Sequence, residues 1–155
     1  MTNETPCPAD AVTRMEPEIA FMVRGLEGIY RRRKYPMERA HYLVLMNLLE
    51  GPLASGALAA RLSLDQSTIT RQIAAMEKRG LVEKRANPKD GRGVVIAATP
   101  EGEARYTEMR ALRLERLSEM LSDWPEADRA RFAELITRFN SALMASEGGQ
   151  VLKGR

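Results

Sequence analysis

The chain has 155 residues, 44% of them apolar and 29% charged, with aromatics at only 5%. That balance excludes a disordered chain, one cysteine excludes a disulfide framework, and the lack of any apolar run near 18 residues excludes a spanning helix. A core short of aromatics has to be built from Leu, Met, Ile, Val and Ala, which favours helices, and the net charge of +3 is too small to identify a partner by itself.

Residues 1–14 carry two prolines among polar residues and are expected to be a flexible tail. They show no basic segment followed by an apolar one, so a cytoplasmic location is expected. From about Pro17 to Lys34, Ile19, Met22, Val23, Leu26, Ile29 and Tyr30 recur at three- and four-residue spacing and predict an amphipathic helix. Its end, Arg31 to Lys34, is basic, as suits the negative pole of a helix. A second helix is expected over about Met37 to Glu50, with Tyr42, Leu45, Met46 and Leu49 on one face and Gly51-Pro52 as its stop.

Two short helices follow. Ser55 is placed as the cap of the first, which carries Leu58, Ala59 and Leu62. Asp65 is placed as the cap of the second, which carries Ile69, Ile73 and Met76 and ends at Gly80. Leu81–Ala86 and Val94–Ala98 read as two strands joined by Asn87-Pro88-Lys89-Asp90-Gly91-Arg92-Gly93, a hairpin with a long basic tip. Thr99-Pro100 opens a long helix to about Leu121. Asp123 and Glu126 have the spacing of a capping box before the stripe Phe132, Leu135, Ile136, Phe139 and Leu143. Residues 146–155 are Gly-rich and expected to be a second flexible tail.

The charge is unevenly distributed. Between Arg61 and Arg92 stand eight basic residues and four acidic ones, so that short stretch carries the chain's positive excess. At about 100° per residue, Ile73 and Met76 lie within about 40° of Ile69 on the helix that begins at Asp65, while Ser67, Arg71 and Lys78 cluster near the opposite direction. Thr70 and Ala74 lie on the edge of that outer face. An apolar anchor backed by small hydroxyls, one Arg and one Lys suits the major groove: small residues allow close approach, hydroxyls bond bases or phosphates, and Arg pairs with guanine. Gln66, Ser67, Thr68, Thr70, Arg71 and Lys78 are therefore the candidate DNA-contacting residues of the helix, and Lys89 and Arg92 those of the hairpin tip. Asp90 is acidic and is assigned to shaping the loop.

The segment Ala54 to Gly102 resembles the signature of the MarR (multiple-antibiotic-resistance regulator) family. The positions that carry the resemblance are Leu58-Ala59, Leu62, Ser67, Thr70-Arg71, Met76-Glu77, Gly80-Leu81-Val82, Arg85, Asp90, Arg92, Thr99 and Gly102. Two departures stand out: Gly91, where family members often have a basic residue, and Ala98 in place of Leu. The resemblance implies a mainly α fold with a small β-hairpin, in which a winged helix-turn-helix lobe (about 53–99) is joined to dimerisation helices from both ends (about 16–35 and 100–145) within one domain spanning 15–145. It also implies a cytoplasmic homodimer on a pseudo-palindromic operator, commonly a repressor released by a small aromatic or anionic effector. The apolar stripe from Phe132 to Leu143, too long for one small lobe to cover, agrees with a twofold dimer.

By the same resemblance, an effector cleft would be lined by Met22, Leu26, Tyr30, His41, Tyr42 and Leu45, although a Met and Leu stripe at this spacing reads as core before it reads as pocket. His41, the only histidine, reads as a surface or boundary residue before a ligand contact. Cys7 raises the alternative of a redox-sensing regulator, but it has no second cysteine to resolve a sulfenic acid. A winged helix used only for protein contact is the other alternative, and it would want an apolar outer face. One His, one Cys and no phosphate-cradling glycine motif leave little for an enzyme to work with, and no cofactor or metal is expected.

Overall fold

The computed structural model describes residues 8–32, 34–89 and 91–151. Six helices and one hairpin follow in order: α1 (Pro8–Arg32), α2 (Arg39–Leu48), α3 (Ser55–Arg61), α4 (Gln66–Lys78), β1 (Val82–Ala86), β2 (Val94–Ala98), α5 (Pro100–Met120) and α6 (Glu126–Val151). The expected mainly α fold with one hairpin is observed. Residues 1–35 and 36–155 form two compact units.

The first unit is built on α1, which starts nine residues earlier than expected and carries Pro17 in its interior. Read as a start signal, Pro17 is instead tolerated there, with Asp10 in the first turn favouring the positive helix end. The stripe is only partly covered: Met22, Val23 and Leu26 stay exposed, as do Val12, Met15 and Phe21.

In the second unit, α2 to α5 and the hairpin surround a core whose largest fully buried side chains are Val44, Leu45, Leu58, Ile69, Met76 and Met109. The buried face of α2 is His41, Tyr42, Val44, Leu45 and Leu48, whereas Met46 and Leu49 are exposed. The expected face was therefore rotated: positions 41, 44, 45 and 48 are the ones that repeat at helical spacing toward α4 and α5. Ser55 does not cap α3. The cap position is Ala54, and Ser55 is the first helical residue. Ser63, in the turn between α3 and α4, has φ of +52°, a conformation that glycine usually supplies in this turn.

The strands pair antiparallel with Val82 opposite Ala98 and Ala86 opposite Val94. Leu53 adds a third partner, exchanging both backbone hydrogen bonds with Ile96 at 3.0 and 2.8 Å. Val95, Ile96 and Ala97 of β2 are buried, and of β1 only Val82 is. The hairpin is tied to α5 through Thr99, the expected cap. Its Oγ1 accepts from the Gly102 N–H at 3.0 Å and donates to the Gly80 carbonyl at 2.5 Å. α6 begins at Glu126, after Pro125, so Asp123 is out of register for the expected capping box. Arg129 instead closes the turn by donating to the carbonyls of Trp124 and Ser122. The helix runs on to Val151, into the segment expected to be a flexible tail from residue 146.

His41, expected at the surface or boundary, is instead buried, 3% exposed, and no partner reaches its Nδ1. Burial holds the imidazole below its ordinary pKa; the Glu38 carboxylate opposes this and the Arg79 guanidinium adds to it. As the pH falls, the unfolded chain therefore takes up the proton before the folded one. The stability associated with His41 is full above about pH 6.5 and is lost as the pH drops through the folded-state value. Denaturant titrations at about pH 7.5 and about pH 5 should show lower stability at the acid end, and His41→Gln, which cannot titrate there, should lose part of that difference. An unchanged slope in the variant would place its origin elsewhere.

Candidate nucleic-acid interface

The polarity expected of α4 is observed. Ile69, Ile73 and Met76 are 0, 3 and 0% exposed, while Gln66, Ser67, Thr70, Arg71, Ala74 and Lys78 face outward. Three apolar side chains pin the helix to the core, and the opposite side projects from the surface as a narrow, small-residue ridge. The register holds because Asp65 caps the helix, as its position in the sequence predicts.

Asp65 does more than cap. Its Oδ1 accepts from the Thr68 N–H at 2.7 Å and from the Ser67 hydroxyl at 2.5 Å, and its Oδ2 accepts from the Thr68 hydroxyl at 2.7 Å. These bonds, those from Ser67 and Thr68 foremost, hold the carboxyl far below the usual carboxylate range, so it is ionised at any working pH. Thr68 is only half-exposed, and its hydroxyl also takes an Arg71 Nη2 hydrogen at 3.3 Å. One turn on, the Thr70 hydroxyl bonds the Gln66 carbonyl at 2.7 Å. Gln66 reaches across to α3, its Nε2 lying 3.0 Å from Ser55 Oγ. That last link has no sequence signal, since the partners are eleven residues apart in different helices.

At the hairpin tip, Asn87 organises the turn. Its N–H bonds the Gly93 carbonyl, its own carbonyl accepts from Gly91, and its side chain accepts from the Lys89 N–H. Gly91 has φ of +66°, in the left-handed region, which accounts for a glycine at the position where the signature often has a basic residue. Lys89 and Arg92 are both exposed. Asp90, assigned to shaping this loop, lies outside the described residues, as does Cys7.

The basic excess is smaller in space than in sequence. Lys84 pairs with Glu77 at 2.8 Å, Arg85 with Glu83, and Arg61 with Glu50 at 3.7 Å. Those three cations are largely neutralised. Among the described residues Lys78 and Lys89 have no acidic partner, so positive charge concentrates on the outer side of α4 and at the hairpin tip. One basic locus on α4 and another at the hairpin tip match a groove and its bordering phosphates.

The six residues expected to line an effector cleft have different surroundings. On α1, Met22 and Leu26 are exposed and Tyr30 is half-buried, its ring 5.1 Å from that of Tyr35. On α2, His41, Tyr42 and Leu45 are buried. Tyr42 stacks on Tyr106 with centroids 4.9 Å apart and planes at 9°, and the Arg113 guanidinium lies 4.8 Å from its ring centroid. Burial first, and Tyr106 second, push the Tyr42 hydroxyl up to about 12. Arg113 was not foreseen; a cation over an aromatic face leaves no periodic trace in sequence.

Comparison with known proteins agrees with this geometry. The sequence model of the MarR family matches residues 35–93. An uncharacterised HTH-type transcriptional regulator of Bacillus subtilis, YxaD, is 33% identical over 149 residues, covering 93% of this chain and 99% of the relative. Among solved structures, a MarR family protein from Bacillus stearothermophilus superposes with a TM-score of 0.75 at 23% identity, covering 89% of this chain and 99% of that one. The PcaV transcriptional regulator from Streptomyces coelicolor, solved in complex with its natural ligand, gives a TM-score of 0.59 at 22% identity, covering 92% and 98%. With a winged helix-turn-helix in place and a full-length relative at this identity, the chain belongs to the MarR family of DNA-binding transcriptional regulators.

Proposed function

We propose that a homodimer of this chain binds a pseudo-palindromic site in double-stranded DNA, laying α4 of each copy in a major groove and the hairpin tip beside it. The observation that carries the reading is the outer face of α4, where Gln66, Ser67, Thr70, Arg71 and Lys78 are exposed opposite three buried anchors. Thr68, tied to Asp65, supports that face, and Lys89 and Arg92 supply the flanking contacts. The polar face argues against a module used for protein contact alone. Asp90 is assigned to loop shape.

Dimerisation is supported by surface that one chain leaves uncovered. On α6, Phe132, Leu135, Phe139 and Leu143 are each 37–45% exposed in a continuous stripe, and Leu114 and Leu117 of α5 are similarly bare. A second copy buries such a surface by symmetry and sets two recognition helices about one helical turn of DNA apart. The dimer works in the cytoplasm as a repressor by occupying promoter DNA, and a small aromatic or anionic effector releases it. The effector reading is supported by the PcaV protein, which was solved in complex with its natural ligand. Among the described residues no helix is long and apolar enough to cross a membrane.

Selection from a random duplex pool tests the reading. The expected product is an inverted repeat with half-site centres about 10 bp apart, bound by a species that sediments at about twice the 17.4 kDa chain mass. A monomer, or a pool with no enriched sequence, would refute it.

A further inference from the structure

The outer face of α4 has a hydrogen-bonding polarity as well as a charge. Building on the DNA-binding reading, we propose that the first turn of α4 reads the exocyclic amino group of a cytosine in the major groove, and that Ser55 positions Gln66 to do so.

A hydroxyl has one hydrogen to donate and keeps two lone pairs. The hydrogens of Ser67 and Thr68 go to the two Asp65 oxygens, and that of Thr70 goes to the Gln66 backbone carbonyl. The Gln66 amide is committed on its nitrogen side: Nε2 donates to Ser55 Oγ at 3.0 Å and lies 3.4 Å from Thr70 Oγ1. Its Oε1 is the end left open, passing 3.9 Å from where a side chain on Gly56 would begin. The side chains of Asp65, Gln66, Ser67, Thr68 and Thr70 therefore offer acceptors outward. Among the side chains the next donor is Arg71, one turn from Ser67.

An acceptor surface discriminates sharply among base edges. Guanine shows N7 and O6 and thymine shows O4, all acceptors. Adenine shows its amino group beside the N7 acceptor. Cytosine alone presents an amino donor with no acceptor next to it on its own edge. Phosphate oxygens are acceptors too, so these side-chain acceptors are matched to bases and not to the DNA backbone, while Arg71, with its forked donors, takes a neighbouring guanine.

Ser55 is a positioning residue. It sits at the start of α3 and has no cap to make, and its link to Gln66 fixes the amide nitrogen, leaving the carbonyl as the end free to accept. Without it the amide can turn to pair both its ends with adenine N6 and N7, the usual Gln contact.

The test begins with the site that the full-length protein selects. Each cytosine in it is replaced singly by 2-pyrimidinone, which pairs with guanine but lacks the amino group. One cytosine per half-site should lose about tenfold in affinity on replacement, and the others should lose much less. Ser55→Ala should shift selection at that position from cytosine toward adenine, changing their ratio by about two- to tenfold. A merely structural role for Ser55 would weaken all sequences alike and leave the preferred base unchanged. The proposal is overturned if a defined site is selected but none of its cytosines responds, or if Ser55→Ala and wild type select the same base. An unselective protein would overturn the operator reading itself.

Discussion

Gly102→Ala should destabilise the protein by about 3 kcal/mol or more, lowering its thermal midpoint by roughly 10 °C. Elsewhere in a helix the exchange would stabilise, because alanine is the better helix former by about 1 kcal/mol. Here a Cβ would lie 2.0 Å from the Leu81 carbonyl oxygen, 3.0 Å from its carbon and 3.1 Å from Leu45 Cδ2. None of these can yield cheaply. The Leu81 carbonyl accepts from the Thr99 N–H at 3.1 Å, and the residue before it, Gly80, has φ of +69° and receives the Thr99 hydroxyl. Leu45 is fully buried. The only relief is for α5 to move off the start of β1, which breaks the Thr99 cap and uncovers Met109. Chemical denaturation with an unchanged m-value and a lower midpoint would show this. Near-wild-type stability would mean that the junction between hairpin and α5 is looser than its hydrogen bonds imply.

The same junction shows what the sequence made legible. Thr99-Pro100 predicts the start of α5, and Asp65 predicts the cap of α4, because caps are local: the side chain and the N–H it satisfies lie within three residues. The 3.6-residue period likewise placed Ile69, Ile73 and Met76 inward and Arg71 and Lys78 outward. Local rules failed where a helix could continue past its punctuation. Pro17 lies inside α1, and the Gly-rich segment from residue 146, expected to be a flexible tail, continues α6 to Val151. Proline and glycine lower helical propensity without forbidding the helix when the neighbouring turns are already formed. The α2 face was misread because its two stripes, 42/45/46/49 and 41/44/45/48, differ by one rotation step, and only the packing partners choose between them. In the candidate interface, residue types were legible but their commitments were not. That Lys84 is spent on Glu77 and that Gln66 is held by Ser55 follows from the tertiary arrangement alone, whereas Arg85 and Glu83, two residues apart, share one face of β1.

Arg71→Ala should reduce affinity for the selected operator by about 5- to 150-fold while changing affinity for random duplex far less. That range corresponds to the roughly 1–3 kcal/mol of discrimination a bidentate arginine–guanine pair provides. Arg71 is exposed in the second turn of α4, held by no acidic partner among the described residues and only loosely by Thr68 at 3.3 Å. It can therefore leave that bond for a base at little cost, and the small residues beside it, Ser67 and Ala74, let it approach. Lys89→Ala at the hairpin tip provides the contrast. A lost phosphate contact lowers affinity on all sequences and flattens the log–log salt dependence by about 0.9, without altering base preference. Arg92→Ala should resemble Lys89→Ala if it contacts phosphate. If it enters a minor groove, it should instead change the preference for A·T at the flanks of the site. Arg71→Lys separates charge from geometry. It keeps the cation but not the planar fork, so it should restore the non-specific component and leave most of the operator loss in place. Equal losses on operator and random duplex in Arg71→Ala would assign Arg71 to the backbone and leave base reading to the first turn of α4.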